Sequence, residues 1–179
     1  MRIKPILFIL AVALIALAAQ ASRAQENRQP STPEERARAV QLTRALEADP
    51  LGKDAKEARR WLLLWLIRVP DIKVTICTDF LAPLYKKDKN NSLDITAQMT
   101  FSSAAFMIEH PEQAEDEPAV YLAGLEGSLK AYEALLKAKP KATWPFLDDL
   151  IAKRERGELA GYIAGILKTG CKSSQEEKP

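Results

Sequence analysis

Along most of this chain apolar residues recur at alternating intervals of three and four, which is one face of an α-helix, and proline, glycine and short polar runs separate the segments. The first helix opens at Thr32-Pro33-Glu34-Glu35. Thr32 is placed to cap it, Pro33 fits the first helical position and Glu35 completes a capping box. Ala39, Leu42, Ala45 and Leu46 form its apolar stripe, and Asp49-Pro50-Leu51-Gly52 ends it.

A second helix starts at Asp54 and carries the block Trp61-Leu62-Leu63-Leu64-Trp65-Leu66-Ile67 before Pro70. Uninterrupted apolar residues cover every face of a helix, so this one is expected at the centre, wrapped on all sides. The competing reading of the same block is an interface for a subunit or partner, with Trp61 and Trp65 as its anchors.

From Asp71 to Cys77 the apolar residues Ile72, Val74 and Ile76 alternate with Lys73, Thr75 and Cys77, the period of a strand. With no second strand to pair with, an extended linker or an irregular helix fits as well. Phe80, Leu81, Leu84 and Tyr85 then form a short helical piece around Pro83, followed by an exposed loop from Lys86 to Asn91.

Asn91 or Ser92 caps a third long helix with the stripe Leu93, Ala97, Phe101, Ala104 and Ile108, which stops at His110-Pro111. After the acidic loop Glu112 to Glu117, Pro118 opens a fourth helix with Leu122, Leu125, Leu129, Tyr132 and Leu136 on its seam. Gly124 and Ser128, one turn apart on it, allow another backbone to come close. Lys139-Pro140-Lys141 breaks the chain, Thr143 can cap, and Phe146, Leu147, Leu150 and Ile151 define a fifth helix. A sixth follows Gly157 with Leu159, Tyr162, Ile163 and Ile166 inward, and Gly170 stops it. Gly157, Gly161 and Gly165 share a face and are expected to serve close packing in the core. These elements predict an all-α fold: a compact bundle of about six helices with one short extended segment near residues 71–77.

Ala45 to Pro50 and Leu135 to Pro140 are alike, each a helix end closed by proline. The segments resemble the closing turn of a tetratricopeptide repeat, but their separation does not fit its roughly 34-residue period. They read as a common way of ending a helix.

The N-terminus changes the picture. A basic start at Arg2 and Lys4, an apolar run from Ile6 to Ala19, and the small-residue sites Ala19-Gln20-Ala21 and Ser22-Arg23-Ala24 make residues 1–24 a signal peptide. The apolar run is shorter than the roughly 18–20 residues that cross a bilayer, so no stable membrane span is expected after cleavage. Cleavage follows Ala21 or Ala24, with Ala24 preferred. Residues 25–31 read as a flexible leader, 32–171 as a single helical domain and 172–179 as a disordered tail. The mature chain is then secreted or periplasmic.

Export gives the two cysteines a meaning. Cys77 and Cys171 are the only ones, and in an oxidising compartment two such residues form one structural disulfide. Cleavage also removes Arg2, Lys4 and Arg23, leaving 23 basic against 24 acidic side chains and a net charge of −1. Such a balance argues against nucleic acid as a partner.

No catalytic, cofactor-binding or metal-ligating set stands out. The single histidine, His110, sits at a helix end where it can satisfy terminal carbonyls; a metal or acid–base site with Glu109, Glu112 or Asp116 has no second histidine to support it. Neither a nucleophile elbow nor a glycine-rich phosphate loop can be written on the sequence, so no cofactor is expected. The pattern favours an exported non-enzymatic helical protein acting by binding in the cell envelope, as an adaptor, inhibitor or immunity-type protein with an envelope protein as partner. The alternative is a carboxylate-based hydrolase acting on cell-wall or carbohydrate material, which needs only two acids across a cleft. Asp148, Asp149, Glu155 and the loop Glu112 to Glu117 supply the candidate acids.

Overall fold

Helix α1 (Pro33–Ala48) begins as its first residues dictate. The Thr32 hydroxyl accepts from the Glu35 amide at 3.2 Å while the Glu35 carboxylate accepts from the Thr32 amide at 3.1 Å. The computed structural model describes residues 28–169 and Cys171. The expected signal peptide, the stop at Gly170 and the tail 172–179 lie outside the described residues.

The remaining elements follow in order: α2 (Ala55–Arg68), a 3₁₀ turn (Thr78–Leu81), α3 (Ala82–Tyr85), α4 (Ser92–Glu109), a second 3₁₀ turn (Pro111–Gln113), α5 (Glu117–Ala138), α6 (Pro145–Glu155) and α7 (Leu159–Thr169). Among the described residues there are seven α-helices and no strand. Residues 72–77 have no ladder partner, and burial follows the alternating pattern only at first: Ile72 is buried and Val74 half-buried, but Ile76 is exposed and Cys77 is buried.

Helices α4 and α5 form the central antiparallel pair. The Ser128 hydroxyl donates to the Ile95 carbonyl at 2.9 Å, and the Ser103 hydroxyl donates to the Val120 carbonyl at 3.1 Å, so the two chains run past each other in opposite directions. Small residues permit this closeness. A Cβ at Gly124 would meet the Ser103 hydroxyl and the Met99 carbonyl, and one at Gly127 would meet Ser102 and the Glu47 carboxylate.

Two apolar clusters lie on either side of α4. One joins α1 and α2 to Phe101 and Ala104; the other gathers Ile95 and Met99 with α3, α5, α6 and α7. Leu125, Leu129 and Leu135 on α5 are wholly buried. Each contributes about 1.5–3 kcal/mol relative to exposure, which makes α5 and its partner α4 the organising elements.

This overturns the central place expected for α2. Its buried stripe is Ala55, Ala58, Leu62 and Trp65, one face of a helix with neighbours on only one side. Leu63, Leu64 and Ile67 point outward, 54%, 54% and 60% exposed. The stripe expected on α4 is corrected in a similar way. Leu93 is exposed, while the polar residues Thr96, Gln98, Ser102 and Ser103 are buried because they bond to neighbouring backbone and side chains. Gly161 and Gly165 meet nothing within 4 Å, so the glycine face of α7 is turned away from the core. Leu159 and Ile163 on its other side carry the packing. Trp144, not Thr143, occupies the N-cap of α6, and Thr143 instead offers its carbonyl to Asn90 Nδ2 at 3.2 Å.

A disulfide joins Cys77 to Cys171, with Cα atoms 5.3 Å apart. It fastens the end of α7 to the segment that leads into the first 3₁₀ turn. Among the described residues no helix is long and apolar enough to cross a membrane.

Candidate functional site

The outward face of α2 is built by helical geometry. Because successive residues turn by about 100°, burying Ala55, Ala58, Leu62 and Trp65 presents Lys56, Arg60, Leu63, Leu64 and Ile67 on the opposite side. Trp61 and Trp65, the anchors in the competing interface reading, pack on one another, with Trp61 partly exposed. Trp65 is 2% exposed. Trp61 stacks on it with ring centres 5.7 Å apart and planes inclined by 9°, and the Arg38 guanidinium sits 4.5 Å above the Trp61 ring. The aromatic pair therefore closes α2 onto α1 with Leu62 buried beside it, and Leu63, Leu64 and Ile67 remain outside.

Ion pairs hold this helix in place at both ends. Arg59 Nε lies 3.2 Å from Asp94 at the start of α4, and its Nη2 donates to the Pro50 carbonyl. Arg68 donates to Glu35 at 2.5 Å. That hydrogen bond, with the one from the Thr32 amide, holds the Glu35 carboxyl below its ordinary range. Ser31, assigned to the leader by its polarity, is buried. Its amide and hydroxyl donate to Asp71 at 2.8 and 2.7 Å, and Arg36 donates to the same carboxylate at 2.7 Å. Burial alone would raise the Asp71 carboxyl, but these donors outweigh it and bring it down to about 2.

A concave region of about 520 Å³ runs between α1 and α5, lined by Arg44, Glu47, Lys130, Glu133 and Lys137. Its floor is polar by construction. Glu47, 7% exposed, accepts from the Ser102 hydroxyl at 2.8 Å and from Arg44 at 2.6 Å. Gln98 Nε2 donates to the Ser102 hydroxyl at 3.0 Å and to the Thr43 carbonyl at 3.3 Å. Every member of this network has a partner, which is what a polar group between two apolar clusters requires.

No protein family, no characterised protein and no solved structure matches this chain.

The acids named from sequence are dispersed over the fold. Asp148 accepts from the Tyr132 hydroxyl at 2.7 Å, and that hydroxyl accepts from the Trp144 amide at 2.7 Å. Asp149 lies 3.3 Å from Lys153. Asp116 caps α5 through the Ala119 amide, and Glu109 is taken by Arg44. His110 rests against Phe106 with ring centres 4.7 Å apart, and its Nδ1 is 3.7 Å from Glu112. One set of three metal-capable side chains converges among the described residues, Cys77, Asp79 and Cys171, with their ligand atoms within 4.8 Å of one another. Its two sulfurs are bonded together, and the Asp79 carboxylate accepts from the Cys171 amide at 3.0 Å.

Sequence reasoning missed three features. The outward set Leu63, Leu64 and Ile67 was hidden inside a continuous apolar run, where position on the wheel relative to the buried tryptophan was the available signal. The buried Glu47 had the signal of an adjacent Arg44 one turn earlier. Gly127, which admits the Ser102–Glu47 contact, lies three residues beyond Gly124 and carries the same small-residue signal.

Proposed function

We propose that this is an exported, disulfide-clamped helical protein that acts by binding in the cell envelope, and that its partner protein seats on the outward face of α2. The observation that carries this reading is the exposure of Leu63, Leu64 and Ile67 on one side of a helix whose opposite side is anchored by Trp65. Lys56 and Arg60 share that side, Arg60 largely exposed and 3.9 Å from the exposed Glu57. An apolar ridge bordered by carboxylates is the complementary surface: aliphatic contact supplies affinity and the cations set orientation. The N-terminal segment and the Cys77–Cys171 bridge support an oxidising compartment outside the cytoplasm.

The test has two parts. Intact mass of the protein from the cell envelope is expected to begin at Gln25 or Ser22 and to be lighter by two hydrogens than its reduced form. Crosslinking from a photoreactive residue at position 64 is expected to join the chain to one defined envelope protein, and Leu63→Ser/Ile67→Ser is expected to abolish the adduct without changing thermal unfolding. A full-length mass with free thiols would remove the export reading. An adduct indifferent to Leu63 and Ile67 would remove the docking face.

A further inference from the structure

The antiparallel α4–α5 pair sorts charge to its two ends. The loop before α4 and the loop after α5 meet at one end, joined by Asn90 Nδ2 to the Thr143 carbonyl at 3.2 Å and by Lys139 Nζ to Asn91 Oδ1 at 3.3 Å. These loops and the last turn of α5 carry Lys86, Lys87, Lys89, Lys137, Lys139 and Lys141, with Asp88 the one acid between Lys86 and Lys89. All six lysines are exposed, and among the described residues none has a carboxylate within ion-pair distance. The opposite end, about 27 Å away along α4, carries Glu109, Glu112, Glu115, Asp116 and Glu117. A mature chain that is nearly neutral overall thus has a basic tip, whose acids are Asp88 and Asp94, the latter paired with Arg59.

That tip also has an apolar component. Tyr85 and Leu93, 45% and 57% exposed, bracket the lysine loop in sequence, one at the end of α3 and the other in the first turn of α4. Lys89 lies 4.9 Å above the ring of Trp144, which is itself buried and braces the loop from beneath.

We propose that this lysine-rich tip docks on the surface of a bilayer containing anionic phospholipid. Ammonium groups on flexible stems reach lipid phosphates over a broad area, and a half-exposed tyrosine and an exposed leucine at the two ends of the lysine loop suit the headgroup boundary. Nucleic acid fits less well. The tip has no arginine for forked phosphate or base contacts, and its tryptophan is not available as a stacking plate. This contact is separate from the partner face on α2 and does not depend on it.

Co-sedimentation with vesicles tests the proposal, using the chain as isolated from its host. With vesicles of phosphatidylcholine containing about 30% phosphatidylglycerol, binding is expected to exceed that to phosphatidylcholine alone by at least about tenfold and to fall steeply with salt. Lys139→Glu/Lys141→Glu is expected to lower it by at least about tenfold, and Lys86→Glu/Lys87→Glu, on the other loop, by a similar factor. Thermal unfolding of Lys86→Glu/Lys87→Glu is expected to match wild type, since both side chains are exposed; the other variant is expected to show at most the small loss of the Lys139 to Asn91 hydrogen bond. Equal binding to both vesicle types, or wild-type binding by either variant, would overturn the proposal. Displacement by inorganic phosphate at constant ionic strength would assign the tip to free phosphate instead, and tight binding of a single-stranded oligonucleotide without vesicle binding would assign it to nucleic acid.

Discussion

The hydroxyl of Ser102 on α4 donates to the carboxylate of Glu47 on α1 at 2.8 Å, and it does so at the point where Gly127 on α5 has no side chain to stand in the way. Three helices therefore depend on one missing methyl group. Gly127→Ala is expected to destabilise the protein by about 1–3 kcal/mol, because the new Cβ must push Ser102 and Glu47 apart inside a packed seam. Gly165→Ala on α7 has the opposite sign. Nothing lies within 4 Å of that position, and replacing a mid-helix glycine gains about 0.5–1 kcal/mol. Urea unfolding of the two variants side by side checks the contrast.

Tyr132 ties α5 to the start of α6 by accepting from the Trp144 amide and donating to Asp148. Tyr132→Phe leaves a buried amide without an acceptor, and a loss of about 1–3 kcal/mol is expected in the same assay.

The phenols give an alkaline signature. Burial, reinforced by nearby carboxylates, pushes Tyr121, Tyr132 and Tyr162 up to about 12 from their ordinary 10.0. Between these values the unfolded chain has released protons that the folded chain retains, so stability is full below pH 10 and declines as the pH rises toward 12. Ultraviolet titration of the folded protein is expected to show most phenolate absorbance only above pH 10, with unfolding in urea moving it back.

Acid acts through Asp71. Its folded value of about 2 lies below the ordinary 3.8, so in that interval the unfolded state binds the proton and the folded state does not. The stability it contributes is present above pH 3.8 and is lost as the pH falls through about 2. Asp71→Asn is expected to flatten that part of the curve of stability against pH, and to weaken the hold on Ser31 and Arg36 at neutral pH as well.

The disulfide closes a separation of 94 residues. On the chain-entropy account such a loop is worth about 4–5 kcal/mol. Cys77→Ser/Cys171→Ser is expected to lose most of that in urea unfolding, and reduction of the wild type is expected to reproduce the loss.

The helices were legible because their signals are local. Thr32 and Glu35 cap in sequence as they do in space, and Leu125, Leu129 and Tyr132 are buried where the spacing put them. The placement of α2 was not legible, since seven apolar residues in a row say nothing about which side has neighbours. Nor was the seam of α4, where Ser102, Ser103 and Gln98 look like surface residues until α1 and α5 supply partners for them. The basic tip is not legible in the sequence for a related reason: Lys86 to Lys89 and Lys137 to Lys141 are far apart along the chain and meet only because α4 and α5 are antiparallel. Whole-chain charge balance cannot register such an arrangement.

The bridge from Cys77 to Cys171 also decides what a protease can accomplish. The exposed loop from Lys86 to Asn91, rich in cleavage points for an enzyme that cuts after lysine, lies inside the covalent ring, as does the Lys139-Pro140-Lys141 turn. A single cut at either place leaves both fragments on one molecule, joined through Cys77 and Cys171, and they separate on a gel only after reduction. A cut between α1 and α2 has no such safeguard.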